Sequence, residues 1–113
     1  MKDKVNVLGT EYKIIWQKRE DNKLYDELNG WVDQFAKKIY LLSPEVKEDA
    51  TECIEEYRKK TLRHEITHAF LFESGLAGSS YGINCWAENE EMVDWIAWQG
   101  IKIYEAWKEA GAI

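Results

Sequence analysis

Leu62-Arg63-His64-Glu65-Ile66-Thr67-His68-Ala69-Phe70-Leu71-Phe72-Glu73-Ser74-Gly75 closes a stretch that runs from about residue 48 without a glycine or proline until Gly75. Uninterrupted good helix formers that stop at Ser-Gly predict one long helix with a glycine C-terminal stop. Upstream, Ser43-Pro44 forms an N-cap and first-turn pair and contains the only proline of the chain. That proline divides two textures. Before it, Val5-Asn6-Val7-Leu8, a Gly9 break and Tyr12-Lys13-Ile14-Ile15-Trp16 read as strands. A polar turn follows around Asp21-Asn22, then a short run at Leu24-Tyr25. The turn dipeptide Asn29-Gly30 leads through Trp31 and Val32 to Lys38-Ile39-Tyr40-Leu41-Leu42. Short connections favour antiparallel pairing, so a meander of three or four strands is expected.

Downstream, residues 75–86 are rich in Gly, Ser and Asn and read as a loop. A second helix is expected from about Ala87 to Lys108. Its apolar stripe is Met92, Val93, Ile96, Ala97, Ile103, Tyr104 and Trp107. Strands followed by helices give an α+β domain: a small antiparallel sheet and two long helices. With 113 residues and no repeat or linker, residues 1–113 read as one domain.

A formal charge of -6 leaves no basic stripe for phosphates, so nucleic acid is not expected as a partner. No segment approaches the roughly 20 apolar residues that span a bilayer, and no signal core follows Met1-Lys2-Asp3-Lys4. The expected compartment is the cytoplasm. Cys53 and Cys85, the two cysteines, would stay reduced there and are expected as small buried thiols.

The chemistry lies in His64-Glu65-Ile66-Thr67-His68. Histidines at i and i+4 share a helical face, roughly 6 Å apart along the axis, so two imidazoles can converge on one ion. Zinc suits such a pair because it accepts His nitrogen and carboxylate oxygen. Glu65, about 100° around the helix from His64, flanks the metal and can act as general base on a zinc-bound water. A surface helix can carry this pattern by chance. Here, however, these are the only two histidines, and they sit among Leu62, Ile66, Ala69, Phe70, Leu71 and Phe72.

A third ligand is expected, and Glu88, Glu90, Glu91 and Asp94 are the nearby carboxylates. Relative to Glu90 the apolar stripe of the second helix centres near about -90°, Glu91 near about +100° and Asp94 near about +40°. Glu91 therefore points away from the core, and Glu90 borders the buried face as the best ligand. Asp94, one turn on, can accept the second ring N–H of His64 and set its tautomer. The other reading of the acids is that they complement the helix dipole. Asn89 is a candidate to cap or hold the turn.

His64-Glu65-Ile66-Thr67-His68 with Asn89-Glu90-Glu91-Met92-Val93-Asp94 resembles the gluzincin pattern of zinc metallopeptidases, HExxH followed by NExxxD. The resemblance implies Glu90 as third zinc ligand and Asp94 as the partner of a histidine. More narrowly, residues 62–76 and 90–95, with Val7-Leu8-Gly9-Thr10-Glu11-Tyr12, resemble small HExxH proteins carried by bacterial phages and prophages. The expected domain departs from larger gluzincins in having no substantial C-terminal subdomain. Tyr81, in the loop before Glu90, is a candidate oxyanion donor, since gluzincins often place a Tyr there; the competing reading is a packed loop aromatic. Lys38–Leu42 is the candidate edge strand for an extended peptide substrate. Trp86, Trp95 and Trp98 are candidates either for the cleft or for the core.

Two functions follow from these readings. One is zinc-dependent hydrolysis of peptide or protein substrates with Glu65 as base. The alternative is a zinc-stabilised, phage-type interaction or regulatory protein with little or no turnover, which would need His64, His68 and Glu90 but not Glu65.

Overall fold

The computed structural model describes residues 1–44 and 53–113. It is an α+β fold: one four-stranded sheet followed by two long helices with a short one between them. The strands are β1 (Lys4–Val7), β2 (Thr10–Gln17), β3 (Gly30–Asp33) and β4 (Lys38–Leu42). The helices are α1 (Ile54–Glu73), α2 (Leu76–Ser80) and α3 (Glu90–Glu109). The expected helix start, from residue 48 to 52, lies outside the described residues.

β1 and β2 form the expected antiparallel hairpin. Leu8 and Gly9 both adopt positive φ (52° and 92°), and the Asn6 side chain accepts from the Gly9 N–H. A two-residue turn of this kind matches the twist of the strands it joins. The remaining strands do not continue as a meander. The sheet order is β1-β2-β4-β3, and β4 lies parallel to β2, with Ile14 opposite Ile39. β3 skips one place to the outer edge, and β4 returns antiparallel to it into the gap. Burial explains the choice. Ile39 and Leu41 are fully buried, whereas all four β3 residues are only partly buried, so the more apolar strand takes the central place.

Two other local readings change. Leu24-Tyr25 lies in a 3-10 turn, Lys23–Asp26, capped by the Asn22 side chain. Asn29-Gly30 is not a hairpin turn: Gly30 opens β3 and pairs with Leu41. Its glycine serves close packing instead. A Cβ there would lie 2.8 Å from the Tyr40 carbonyl oxygen and 3.2 Å from Glu65 Cγ.

One face of the sheet packs on α1. Val7, Tyr12, Ile14, Ile39, Leu41 and Ala69 form the buried cluster, flanked by Trp16, Val32, Leu62 and Ile66. At the far end of α1, Glu73 ties helix to sheet. Its carboxylate accepts from Tyr12 Oη at 2.6 Å, from Thr10 Oγ1 and from Lys37 Nζ. These contacts, Lys37 first, hold the Glu73 carboxyl below its ordinary value of 4.5. Burial, then the Glu73 contact, pushes the Tyr12 phenol upward. A carboxyl with a depressed folded value stabilises above its unfolded value and loses that contribution as pH falls through the folded one. The stability difference between the native chain and Glu73→Gln should therefore be full above about pH 4.5 and shrink below it. Urea unfolding from pH 3 to 7 checks this; parallel curves would remove Glu73 from the acid response.

The segment expected as a loop is partly ordered by Ser80. Its Oγ donates to the Ala77 carbonyl and accepts from the Ala87 N–H, while its own carbonyl receives Ile83 N and Cys85 N. Asn84 and Cys85 take left-handed φ values to close this loop. The chain then enters α3 at Glu90, three residues later than expected, because Asn89 is the N-cap and accepts from Met92 N at 2.8 Å. Among the described residues no helix is long and apolar enough to cross a membrane. The apolar stripe of α3 is fully covered only at Val93 and Ala97; Tyr104 and Trp107 lie about half exposed.

Candidate metal centre

The centre is assembled across α1 and α3. His64 and His68, one turn apart, have ring centroids separated by 5.0 Å. Glu90, at the first position of α3, reaches both: Oε1 lies 2.6 Å from His68 Nε2 and Oε2 lies 3.3 Å from His64 Nε2. One ligand atom from each of the three residues falls within 4.8 Å of the other two. The histidines are nearly covered, with side chains 13% and 11% exposed, while the Glu90 side chain is 72% exposed. Burial lowers the His68 pKa, against the raising effect of Glu90, which favours the neutral imidazole that a metal requires.

The donor set fits zinc. With bond lengths near 2.0–2.1 Å, tetrahedral neighbours sit about 3.3 Å apart, a value that the observed separations bracket. The tautomer fits too. His64 Nδ1 is 3.0 Å from Asp94 Oδ1, so a proton on Nδ1 directed at the carboxylate leaves the Nε2 lone pair facing the cluster. Asp94 also accepts from Lys60 Nζ at 3.1 Å. Burial pushes the Asp94 carboxyl up, but the hydrogen bonds and charges of Lys60 and His64 outweigh it and hold the group below its ordinary value.

Glu65 is 5% exposed, and its Oε1 lies 4.0 Å from His64 Nε2. Burial, and then the negative charge of Glu90, pushes its carboxyl up to about 8. A bound dication would act in the opposite sense and favour the carboxylate. Two clefts meet at this residue. One, of about 360 Å³, runs past His68 and Glu90 and is lined by Leu28, Trp31, Val32 and Phe72. The other, of about 260 Å³, is more polar and holds His64, Asp94, Lys60, Asn29 and Glu27. A larger cavity, about 540 Å³, lies between Lys18, Asn29 and Tyr57 and is lined by none of His64, Glu65, His68, Glu90 and Asp94.

No family model, curated protein or solved structure matches the chain. Its chemistry is therefore read from the donors themselves.

His64, His68, Glu65, Glu90 and Asp94 come together, whereas several other expected groups do not. Tyr81 is 51% exposed and lines neither cleft, because the turns around Ser80 carry it to the surface. Asn89 acts on the site only as the cap that sets where Glu90 begins. Cys53 and Cys85 are exposed rather than buried. Trp86, Trp95 and Trp98 are each about half exposed and line neither cleft. Lys38–Leu42 is an interior strand; β3 is the edge strand beside the cluster.

Lys60 and Gly30 were not singled out in the sequence as residues of the site. For Lys60 a signal existed, since it lies four residues before His64 and so on the same helical face. Gly30 carried only a turn signal. Gly30→Ala forces its Cβ against the Tyr40 carbonyl and the Glu65 side chain. Overpacking of this kind costs about 1–3 kcal/mol. Because the candidate ligands His64, His68 and Glu90 stand on other elements, zinc affinity should stay near native while unfolding shifts to lower denaturant. A zinc titration beside a urea curve checks both; an equal loss in affinity would contradict the separation.

Proposed function

We propose that the chain is a zinc metallopeptidase of gluzincin type, with Glu65 as the general base for hydrolysis of a peptide bond. The observation that carries this reading is the convergence of two imidazole Nε2 atoms and one carboxylate beside a buried fourth group, Glu65. A purely structural zinc site uses four protein ligands, whereas three with an open side is the catalytic pattern. A zinc ion bound there supplies Lewis-acid polarisation of the carbonyl and lowers the pKa of water.

The chain's own residues do the rest. His64, His68 and Glu90 hold the ion, and Asp94 keeps His64 in the ligating tautomer. Glu65 takes the proton of the attacking water and returns it to the leaving nitrogen, the usual exchange of base and acid roles. The edge strand β3 borders the clefts at Gly30, Trp31 and Val32 and offers backbone groups to an extended peptide by strand addition. The apolar lining of the larger cleft favours a bulky apolar side chain next to the scissile bond. A host or phage regulatory protein would fit as target if the resemblance to phage-borne HExxH proteins extends to function.

The test is a comparison of zinc content and peptide-library cleavage for the native chain and Glu65→Gln. Cleavage that depends on both zinc and Glu65 supports the reading. Full zinc occupancy without cleavage of any library member would overturn it in favour of a zinc-stabilised interaction protein.

A further inference from the structure

Along α1, Lys60, His64 and His68 recur every fourth residue; along α3, Glu90, Asp94 and Trp98 do the same. Residues four apart share a helical face, so two such rows can meet rung by rung. They do: His68 meets Glu90, His64 meets Glu90 and Asp94, and Lys60 meets Asp94 and Trp98. The metal reading uses the first two rungs and leaves the third without a role.

That third rung is tightly placed. Lys60 Nζ donates to Asp94 Oδ1 at 3.1 Å, and this is the same oxygen that faces His64 Nδ1 at 3.0 Å. The Lys60 side chain is only 19% exposed, and its ammonium lies 5.6 Å from the Trp98 ring and 5.9 Å from the Tyr57 ring. Aromatic faces attract a cation and restrict where it sits. Asp94 is looser, with its side chain 39% exposed. A carboxylate with that much solvent available can turn away from an imidazole unless a second donor holds it.

We infer that Lys60 is a positioning residue of the metal centre: it holds the Asp94 carboxylate against His64 Nδ1 and so keeps His64 Nε2 directed at the ion. This rests on the reading of His64, His68 and Glu90 as ligands. Lys60 touches none of the three ligating atoms and acts through Asp94. An exposed ion pair between these helices would carry little energy and would leave metal affinity unchanged. A residue that orients a ligand's partner changes metal affinity, by about 10–100-fold in comparable arrangements.

The experiment measures zinc affinity by competition with a chromophoric chelator at fixed pH and salt. Lys60→Met should bind zinc about tenfold more weakly than the native chain, the lower end expected for an outer partner. Lys60→Arg, whose guanidinium can still reach the carboxylate, should stay within about threefold of native. In an Asp94→Asn background the Lys60→Met loss should fall to under about twofold, because contacts in one chain of interactions are not additive. If Lys60→Met does not fold, judged by the circular dichroism of the zinc-free protein, Lys60→Gln takes its place with a weakening in the same direction. Native-like affinity in Lys60→Met, or an undiminished loss in the Asp94→Asn background, overturns the role of Lys60 while leaving the metal site standing. A native chain that binds no zinc overturns both, and that result is read before any variant is made.

Discussion

Glu65→Gln should retain one zinc per chain and lose about 10²–10⁴-fold in peptide cleavage, the range typical of removing a general base. The substitution preserves the size of a side chain that is 7% exposed and closely packed against Gly30, so the fold has little reason to move. It also leaves His64, His68 and Glu90 untouched. What it removes is the capacity to take a proton beside the cluster. Zinc content by atomic emission, with cleavage rates on the best library peptide, separates the two effects. Equal cleavage by both proteins would refute Glu65 as the base. Loss of zinc together with activity would instead make Glu65 part of the binding set.

The second large effect is on stability. The three candidate ligands stand on α1 and α3, and beyond them Val93 and Ala97 are the buried residues of α3 and Arg63 Nε donates to the Ala97 carbonyl. An ion that binds only the folded chain stabilises it by about 4 kcal/mol when present at a thousand times its dissociation constant. For a domain of this size that shift is on the order of 15 °C in melting temperature. His68→Ala removes a candidate ligand whose ring also stacks near Phe72 at 6.4 Å, so some stability goes with the ring itself. The informative quantity is therefore the response to zinc. The native chain should gain the full shift, His68→Ala and Glu90→Ala should gain little, and Glu65→Gln should gain as much as native. Calorimetry with and without excess zinc reads all four. A zinc response that survives loss of either ligand would move the metal elsewhere.

Much of the fold was open to a reading of local pattern. The alternating apolar residues of β2, the break at Pro44 and the uninterrupted run up to Gly75 each act over a few residues, and local sequence carries that information. The candidate centre was legible for a related reason. His64 and His68 share a face because of helical periodicity, and the same periodicity puts Asp94 beside Glu90 on α3. What local pattern lacks is the partner. Antiparallel pairing of all four strands failed because β3 and β4 compete for one place beside β2, and relative burial decides that contest only when the sheet has formed. Asn29-Gly30 misled for a similar reason. A glycine that frees a turn and a glycine that makes room for Glu65 look alike until the packing neighbour is known.

The exposed tryptophans teach the same point. Trp95 and Trp98 lie on a helix whose buried positions are Val93 and Ala97 and whose Glu90 and Asp94 face the histidines of α1. Cys85 is exposed because the turns around Ser80 place it there.

By itself, the sequence determined the secondary-structure class and the two helical rows from which the centre is built, because those depend on periodicities of two and 3.6 residues within one segment. Only the tertiary structure decided that β3 is the edge strand, that Tyr81 stands clear of the clefts and that Lys60 shares an oxygen of Asp94 with His64. Each of these depends on the distance between segments far apart in the chain, which no local period encodes.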